Sequence, residues 1–202
     1  MSVTKCLGLL AVTLCLGCAA EISPLMEQMG TNQPTPVPLR GQVVVVFMRP
    51  AGESADVQAT VYDLQDDGDH FIGVVSDGTR VHYTTWAGRH LFMVIGENAD
   101  FMEADMVEGK TYYVRVTPRA GKLKARFSLK PVRKAQIGTA EWTEWDDTSQ
   151  LLLRCSSSEC ERWVNNNVNS VVGKRQKYMQ KWERKTVGKR RAAGLQPQDG
   201  YP

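Results

Sequence analysis

The chain has 202 residues, of which 42% are hydrophobic and 23% are charged, and its formal net charge is +3 at pH 7. Hydrophobic content is ordinary, and no segment after the first 20 residues is apolar for long enough to span a membrane. The charge is unevenly spread: residues 174–191 hold nine Lys or Arg against Glu183, whereas residues 21–173 carry a net charge of −5. An acidic body is therefore followed by a basic tail.

The first 20 residues have the composition of a secretory signal. Lys5 supplies the positive charge, residues 7–17 are apolar, and Cys18-Ala19-Ala20 is a small-residue exit. Spanning a bilayer takes about 20 apolar residues, so this run is too short to be a transmembrane helix. Ordinary cleavage after Ala20 stays open, because Cys18 and Ala20 put small residues at the two required positions.

The pair Gly17-Cys18 resembles a bacterial lipobox, in which the cysteine is acylated and becomes the new N-terminus. The sequence departs from that pattern at Cys15, where Leu or Val is usual. Ala19 follows the cysteine, and the resemblance then implies sorting to the outer membrane. We predict a signal peptide over residues 1–17, lipidation at Cys18 and a periplasm-facing location on the outer membrane, held by two or three acyl chains.

Residues 18–40 contain three prolines within Pro34-Thr35-Pro36-Val37-Pro38. Such a stretch stiffens toward polyproline geometry and buries little. We predict that the whole of 18–40 is a tether that lifts the domain off the membrane.

From Gln42 onward the pattern changes to short strands separated by turn residues. The first, residues 42–49, is a continuous apolar run, which predicts a central strand buried on both faces. Asp67-Gly68 and Asp77-Gly78 are hairpin signals. This spacing predicts a mainly β fold, a compact antiparallel β-sandwich of about eight strands within residues 41–135, at 42–49, 57–64, 71–75, 80–86, 90–95, 98–106, 111–117 and 124–129.

Residues 136–160 are predicted to be a connector closed by a disulfide between Cys155 and Cys160, the two cysteines outside the signal. The pair cannot lie on one continuous helix, because five residues turn the side chains apart, so a turn must separate them. An amphipathic α-helix is predicted over residues 161–187, followed by a tail at 188–202. Its apolar stripe should dock on the sandwich and consists of Val164, Val168, Val171, Val172, Tyr178 and Trp182.

Three motifs give a resemblance to a known family. They are the turn Gly88-Arg89-His90, the strand Gly109-Lys110-Thr111-Tyr112-Tyr113 and the strand Arg126-Phe127-Ser128-Leu129-Lys130-Pro131. The chain resembles, over roughly residues 43–132, a family of bacterial envelope lipoproteins built on a domain of unknown function. The resemblance implies a β-sandwich on a lipid anchor and transfers no catalytic residues.

No motif predicts catalysis, a cofactor or a metal. Gly109-Lys110-Thr111 lacks the earlier glycine of a P-loop, since position 104 is Ala104. The three histidines show no metal-ligand spacing, and His90 is expected to hydrogen-bond loop carbonyls after its glycine turn. We therefore predict a protein that is not an enzyme.

Two surfaces are candidates for binding. Trp86, Trp142 and Trp145 could stack on sugar rings; alternatively Trp86 packs in the core while Trp142 and Trp145 pin the C-terminal segment to the sandwich. The basic helix should keep its cations in solvent, where they could meet anionic lipid or acidic peptidoglycan stems; they are Lys174, Lys177, Lys181, Arg184 and Lys185.

The leading hypothesis is a lipid-anchored, non-catalytic structural or interaction component of the cell envelope. Its partners would be the membrane, through the anchor, and an anionic envelope polymer or envelope protein. Nucleic acid is not expected in that compartment. The alternative is a carbohydrate-binding module for peptidoglycan or another glycan, with Trp142 and Trp145 as the stacking residues.

Overall fold

The structure is a computed structural model that describes residues 22–31, 33–52, 57–120, 125–155 and 157–202. The signal segment and Cys18 lie outside the described residues, so their predictions stay predictions. Within the described chain the fold is mainly β, as the sequence predicts. Its strands are β1 Met26–Thr31, β2 Gln42–Arg49, β3 Ala59–Gln65, β4 Gly68–Val75, β5 Thr79–Trp86, β6 Gly88–Ile95, β7 Ala99–Met106, β8 Thr111–Arg119, β9 Arg126–Pro131 and β10 Leu151–Cys155.

The strands form two packed sheets. The four-stranded sheet has the order β4-β3-β6-β7 and is antiparallel throughout. The six-stranded sheet has the order β1-β10-β5-β2-β8-β9 and is mixed, because β10 pairs with β5 and β2 pairs with β8 in parallel. The predicted sandwich is thus confirmed, with two parallel pairs in its larger sheet.

Strand β2 is central and buried on both faces, as its unbroken apolar run predicts. It lies between β5 and β8, and each residue from Val43 to Arg49 is buried. Phe47 points into the core between the sheets, where its ring meets Phe92 of β6 edge to face with the centroids 5.2 Å apart. A carboxylate at the centre of this strand would have no solvent to reach.

We call the end of the sandwich at which the described chain begins the proximal end, and the opposite end the distal end. Gln42 at the start of β2 pairs with Trp86 at the end of β5. Strand β1 runs against β10, which is parallel to β5, so the described chain also enters at this proximal end. At the opposite, distal end, β8 finishes at Arg119 and β9 begins at Arg126.

The predicted tether over residues 18–40 is wrong for its central part. Met26–Thr31 is an edge strand paired with β10, and the Met26 side chain is buried in the core. The segment lacks an apolar run because its outward side chains, such as Glu27 and Gln28, are exposed. The proline-rich residues 33–40 therefore connect two strands of one sheet and do not raise the domain.

The predicted connector at 136–160 also contains regular structure, namely helix α1 (Ala140–Asp147) and strand β10. Thr139 caps α1 by accepting a hydrogen bond from the Trp142 amide. Buried Arg80 of β5 holds this segment, because its guanidinium donates to the Ser149 carbonyl at 2.6 Å and to Asp146 at 2.8 Å. Strand β10 thereby joins the six-stranded sheet.

Helix α2 spans Ser157–Glu183 and is followed by α3 at Val187–Ala192, so the C-terminal helix begins earlier and ends sooner than predicted. It docks across the outer face of the four-stranded sheet, as expected. Val171 and Trp182 are buried there against β3, β6 and β7. Val168 is 49% exposed, which contradicts its predicted docking, and Trp163 takes part instead by packing on Phe71 of β4.

Cys155 and Cys160 lie at disulfide distance, with their α-carbons 6.0 Å apart. Cys155 ends β10 and Cys160 lies in the first turn of α2, so the chain turns between them as the sequence argument requires. The pair joins the start of the helix to β10, the strand next to the edge strand β1 of the six-stranded sheet.

Candidate anion-binding site

A groove runs along one side of α2, between the helix and the distal end of the sandwich. Two cavities, of about 460 Å³ and about 350 Å³, lie end to end in it. The larger is lined by Trp163, Asn167 and Lys174 of the helix and by Gly96 and Glu97 of the sheet. Because α2 crosses the strands and does not run along them, the groove remains open beside it.

The smaller cavity is the basic pocket, which we define by its four cations Arg119, Arg126, Lys181 and Lys185. One carboxylate, Asp100, lines the same cavity. The apolar part of its wall consists of Phe101, Tyr178 and Trp182. Glu97 pairs with Arg126 from beside the cavity, so four cations stand against two acids and an excess of positive charge remains.

The hairpin of β8 and β9 supplies two of the cations. Arg119 and Arg126 stand directly opposite each other in the antiparallel register. Like charges placed opposite each other on neighbouring strands destabilise a sheet. The cost is offset by Asp100, 4.0 Å from Arg119, and by Glu97, 3.2 Å from Arg126. An anion bound between the two arginines would relieve the same repulsion.

The end of α2 and the turn that follows it supply the other two cations, Lys181 and Lys185. Lys181 and Lys185 follow Tyr178 at helical spacing, and the Lys185 ammonium lies 3.9 Å from Asp100. A helix C-terminus favours cations by about 0.3–1 kcal/mol, which alone would account for lysines here. It does not account for two arginines from a hairpin facing the same cavity. Long ion pairs between half-exposed groups contribute little, so Asp100 does not neutralise the pocket.

The predicted solvent-facing cations divide into two groups. Lys177, Lys181, Arg184 and Lys185 are exposed, and of these Lys181 and Lys185 reach the basic pocket. Lys174 is not a free surface cation, which corrects the prediction. Its ammonium donates to the Gly96 carbonyl oxygen at 2.7 Å, because the helix packs closely on the sheet at that turn.

The predicted stacking pair, Trp142 and Trp145, does not form an exposed platform. Trp145 is buried against Met48 and Val132, and the Arg115 guanidinium covers its ring at 4.0 Å. Trp142 is half-buried and meets Tyr113 edge to face at 4.7 Å. Both pin α1 to the six-stranded sheet, so the structure corrects the stacking assignment and agrees with the alternative reading of this pair.

The alternative also placed Trp86 in the core, and this is wrong, because its side chain is 67% exposed. It is nevertheless held in place. The ring lies over Gly41, so close that a β-carbon there would stand 3.1 Å from it, and the Trp86 carbonyl oxygen lies 2.9 Å from Nε2 of His90. Glycine at position 41, with φ of +78°, permits both the turn and the contact. His90 thus bonds a backbone carbonyl as expected, but that of the last residue of β5 and not one in a loop.

Behind Trp86 lies a buried cluster around the carboxylate of Asp63, which is fully buried. Its Oδ2 accepts from Tyr83 at 3.0 Å and from Gln65 at 2.8 Å, and it lies 2.8 Å from Nδ1 of His90. Both ring nitrogens of His90 are therefore engaged, one by Asp63 and one by Trp86. Asp63 therefore orients His90, and His90 holds the backbone of Trp86 at the end of β5.

Burial and pairing act in opposite directions on these groups. Burial alone would raise the pKa of Asp63, but hydrogen bonds from His90, Gln65 and Tyr83 outweigh it and lower that pKa. Burial alone would lower the pKa of His90, but the hydrogen bond and charge of Asp63 outweigh it and raise that pKa. His82 has no such partner, and burial, with the nearby charge of Arg80, lowers its pKa to about 4.

Within the described residues, no group of three His, Cys, Asp or Glu side chains is arranged to hold a metal ion. No helix in the described part of the chain has the length and apolarity needed to cross a membrane. Neither a protein-family model nor a curated protein sequence matches this chain. The resemblance to envelope lipoproteins thus stays an expectation.

The sequence identified Lys181 and Lys185 of the pocket but missed Arg119 and Arg126. These arginines lie in a distant hairpin, and nothing in the spacing of the basic helix points to them. One signal was present: pairing β8 with β9 in a hairpin sets the two arginines opposite each other, a juxtaposition that costs stability unless something anionic lies nearby.

Proposed function

We propose that the protein is a lipid-anchored, non-catalytic interaction protein of the bacterial envelope, held through acylated Cys18 at the periplasmic face of the outer membrane. In this proposal the basic pocket binds an anionic envelope polymer. The observation that carries it is the convergence of two lysines, at the end of α2 and just after it, and two hairpin arginines on one cavity, against Asp100 and Glu97.

The position of the pocket favours a polymer over the membrane that holds the anchor. Cys18 precedes Ile22 by four residues, which span at most about 14 Å. An acyl chain on Cys18 would keep the proximal end against the bilayer. The pocket lies at the distal end, one strand length away, or about 26 Å for an eight-residue strand. Charges at that distance from the bilayer are separated from it by several Debye lengths.

Among envelope polymers, the acidic peptide stems of peptidoglycan offer carboxylates on a flexible chain. Arg119 and Arg126 are suited to carboxylates, because a guanidinium can donate two parallel hydrogen bonds to one. Recognition would then depend on the charged stems, since Trp142 and Trp145 offer no exposed stacking surface. This distinguishes the proposal from a glycan-stacking module.

The test compares two double charge reversals in the acylated full-length protein, solubilised and incubated with purified peptidoglycan. Lys181→Glu with Lys185→Glu removes half of the pocket's cations. Lys189→Glu with Arg191→Glu makes the same change in net charge on α3, outside the pocket, where both side chains are exposed. We expect at least about a tenfold loss of affinity in the first variant, corresponding to about 1.4 kcal/mol, and little change in the second.

High salt should weaken binding of the unaltered protein, because the attraction is Coulombic. Equal losses in the two double variants would mean that only net charge matters and would refute a specific pocket. Binding to anionic vesicles in preference to peptidoglycan would identify the lipid surface as the partner. Palmitate labelling of the unaltered protein and of Cys18→Ala tests the anchor separately, since label should depend on Cys18.

A further inference from the structure

The proximal end exposes large apolar side chains that lie outside the hydrophobic core. Trp86 at the end of β5 is 67% exposed, and Leu39 in the turn before β2 is 70% exposed. Gly41 joins them, since its carbonyl accepts from the Ala87 amide at 2.8 Å while the Trp86 ring lies over it. The Gln42 amide closes the turn by donating to the Leu39 carbonyl at 2.9 Å. The two side chains are thus presented by one hydrogen-bonded end of the sheet.

This surface is rigid and does not belong to a loose loop. The Gly41 amide donates to Glu108 at 2.7 Å, and Glu108 lies in the neighbouring turn between β7 and β8. Beneath the surface, His90 contacts the Trp86 carbonyl and is itself held by Asp63. The backbone of Trp86 is thus held by His90 and its ring lies over Gly41, yet most of the side chain remains exposed.

We propose that the proximal end is a membrane-contacting surface that inserts Trp86 and Leu39 into the headgroup region of a phospholipid bilayer. Indole rings favour this interface, because an apolar body and a polar N–H match its two environments. The proposal deepens the proposed function and rests on acylation of Cys18. Its occupant follows from the reach of the chain: the four residues from Cys18 to Ile22 confine an acyl anchor to about 14 Å from Ile22, which precedes the start of β1 on the proximal side of the sheet.

Electrostatic attraction is not the basis of this contact. Arg40 and Arg89 are exposed at the proximal end, but so are Asp66, Asp67 and Glu108. Charges of both signs give no net attraction for an anionic surface. Insertion should therefore occur with zwitterionic lipid and resist salt, in contrast to binding at the basic pocket.

The experiment measures quenching of tryptophan fluorescence by brominated zwitterionic phospholipids, using the acylated full-length protein reconstituted into vesicles. The chain has five tryptophans, and Trp86 is the one at the proximal surface in this proposal. We expect clear quenching in the unaltered protein and its loss in Trp86→Phe. The matched control Trp142→Phe, which alters a half-buried ring on α1, should keep the quenching.

Equal quenching in the unaltered protein and Trp86→Phe would overturn the proposal, as would quenching abolished by high salt. Palmitate labelling of the same samples reports on the anchor. If Cys18 proves not to be acylated, the anchoring function fails, and the chain is added to preformed brominated vesicles. Quenching that depends on Trp86 then supports the surface without the anchor, and its absence overturns the surface as well.

Discussion

The two ends of the sandwich differ in which unusual groups they place at the surface and in the interior. At the proximal end a carboxylate and an imidazole are buried while a tryptophan and a leucine are exposed. At the distal end the apolar rings line the pocket wall and four cations surround it. Each end departs from what folding alone favours, and departures of this kind point to surfaces that meet something else. In the two proposals above, the proximal end faces lipid and the distal end an aqueous polymer.

The largest effect should come from breaking the buried pair at the proximal end. Asp63→Asn removes the charge that holds His90 protonated and weakens the hydrogen bonds from Tyr83 and Gln65, and breaking a buried pair of this kind costs about 3–5 kcal/mol. Urea unfolding monitored by circular dichroism measures the loss. The free energy of unfolding should fall by that amount.

A matched control lies in the same hairpin. Asp67 also pairs with a histidine, His70, at 2.7 Å, but the two side chains are 73% and 43% exposed. Asp67→Asn should therefore leave the free energy of unfolding almost unchanged, because solvent screens this exposed pair. Equal losses of unfolding free energy in Asp63→Asn and Asp67→Asn would show that burial does not strengthen the pair between Asp63 and His90.

The disulfide should contribute less than the buried pair. It closes a loop of only six residues, for which the chain-entropy model gives about 2 kcal/mol. Replacing both Cys155 and Cys160 by Ser should lower the free energy of unfolding by that amount. Affinity at the basic pocket should not change, because Lys181 is about 32 Å along the helix from Cys160. A large loss of peptidoglycan binding would instead show that the two ends are coupled through α2.

The smallest effect is a pH dependence from His90. Its raised pKa means that between pH 6.5 and that pKa the folded chain holds a proton that the unfolded chain has released. Stability should therefore decline as pH rises through this window, by at most about 1.4 kcal/mol per pH unit. His82, with its pKa lowered to about 4, acts in the opposite direction and only below pH 6.5.

Urea unfolding of the unaltered protein across pH 6–9 measures this decline. In Asp63→Asn the group that raises the pKa of His90 is gone, so the decline should disappear. A slope that persists in Asp63→Asn would assign the pH dependence to another group.

The strands that the sequence predicted are those with a continuous or alternating apolar pattern. Strand β2 is the clearest case, since an unbroken run can only be buried on both faces. Strand β1 was missed because one of its side chains, Met26, anchors it while Glu27 and Gln28 face solvent. Strand β10 was missed because five residues carry too little periodicity to separate a strand from a buried loop.

Only the part of the candidate site that is local in sequence could be predicted. Helix lysines are local in sequence, so composition identifies them. The arginines of the hairpin and the exposure of Trp86 depend on which segments the fold brings together. Arg119 and Lys181 are 62 residues apart, and no local pattern links them. Trp86 looked like a core residue because tryptophan usually is one, and its exposure became visible only with the turn at Gly41.

The pairing of β1 with β10 has a consequence for how the chain folds. Met26 lies opposite Cys155, 129 residues later, so the first strand of the described chain finds its partner only when most of the chain is present. Until then its backbone donors and acceptors on that side are unpaired, and a strand in that state can join the wrong chain. Closing so long a loop is slow, because its entropy must be lost before the pairing is gained. Addition of β1 to the finished sheet is therefore expected to be the last and slowest step of folding.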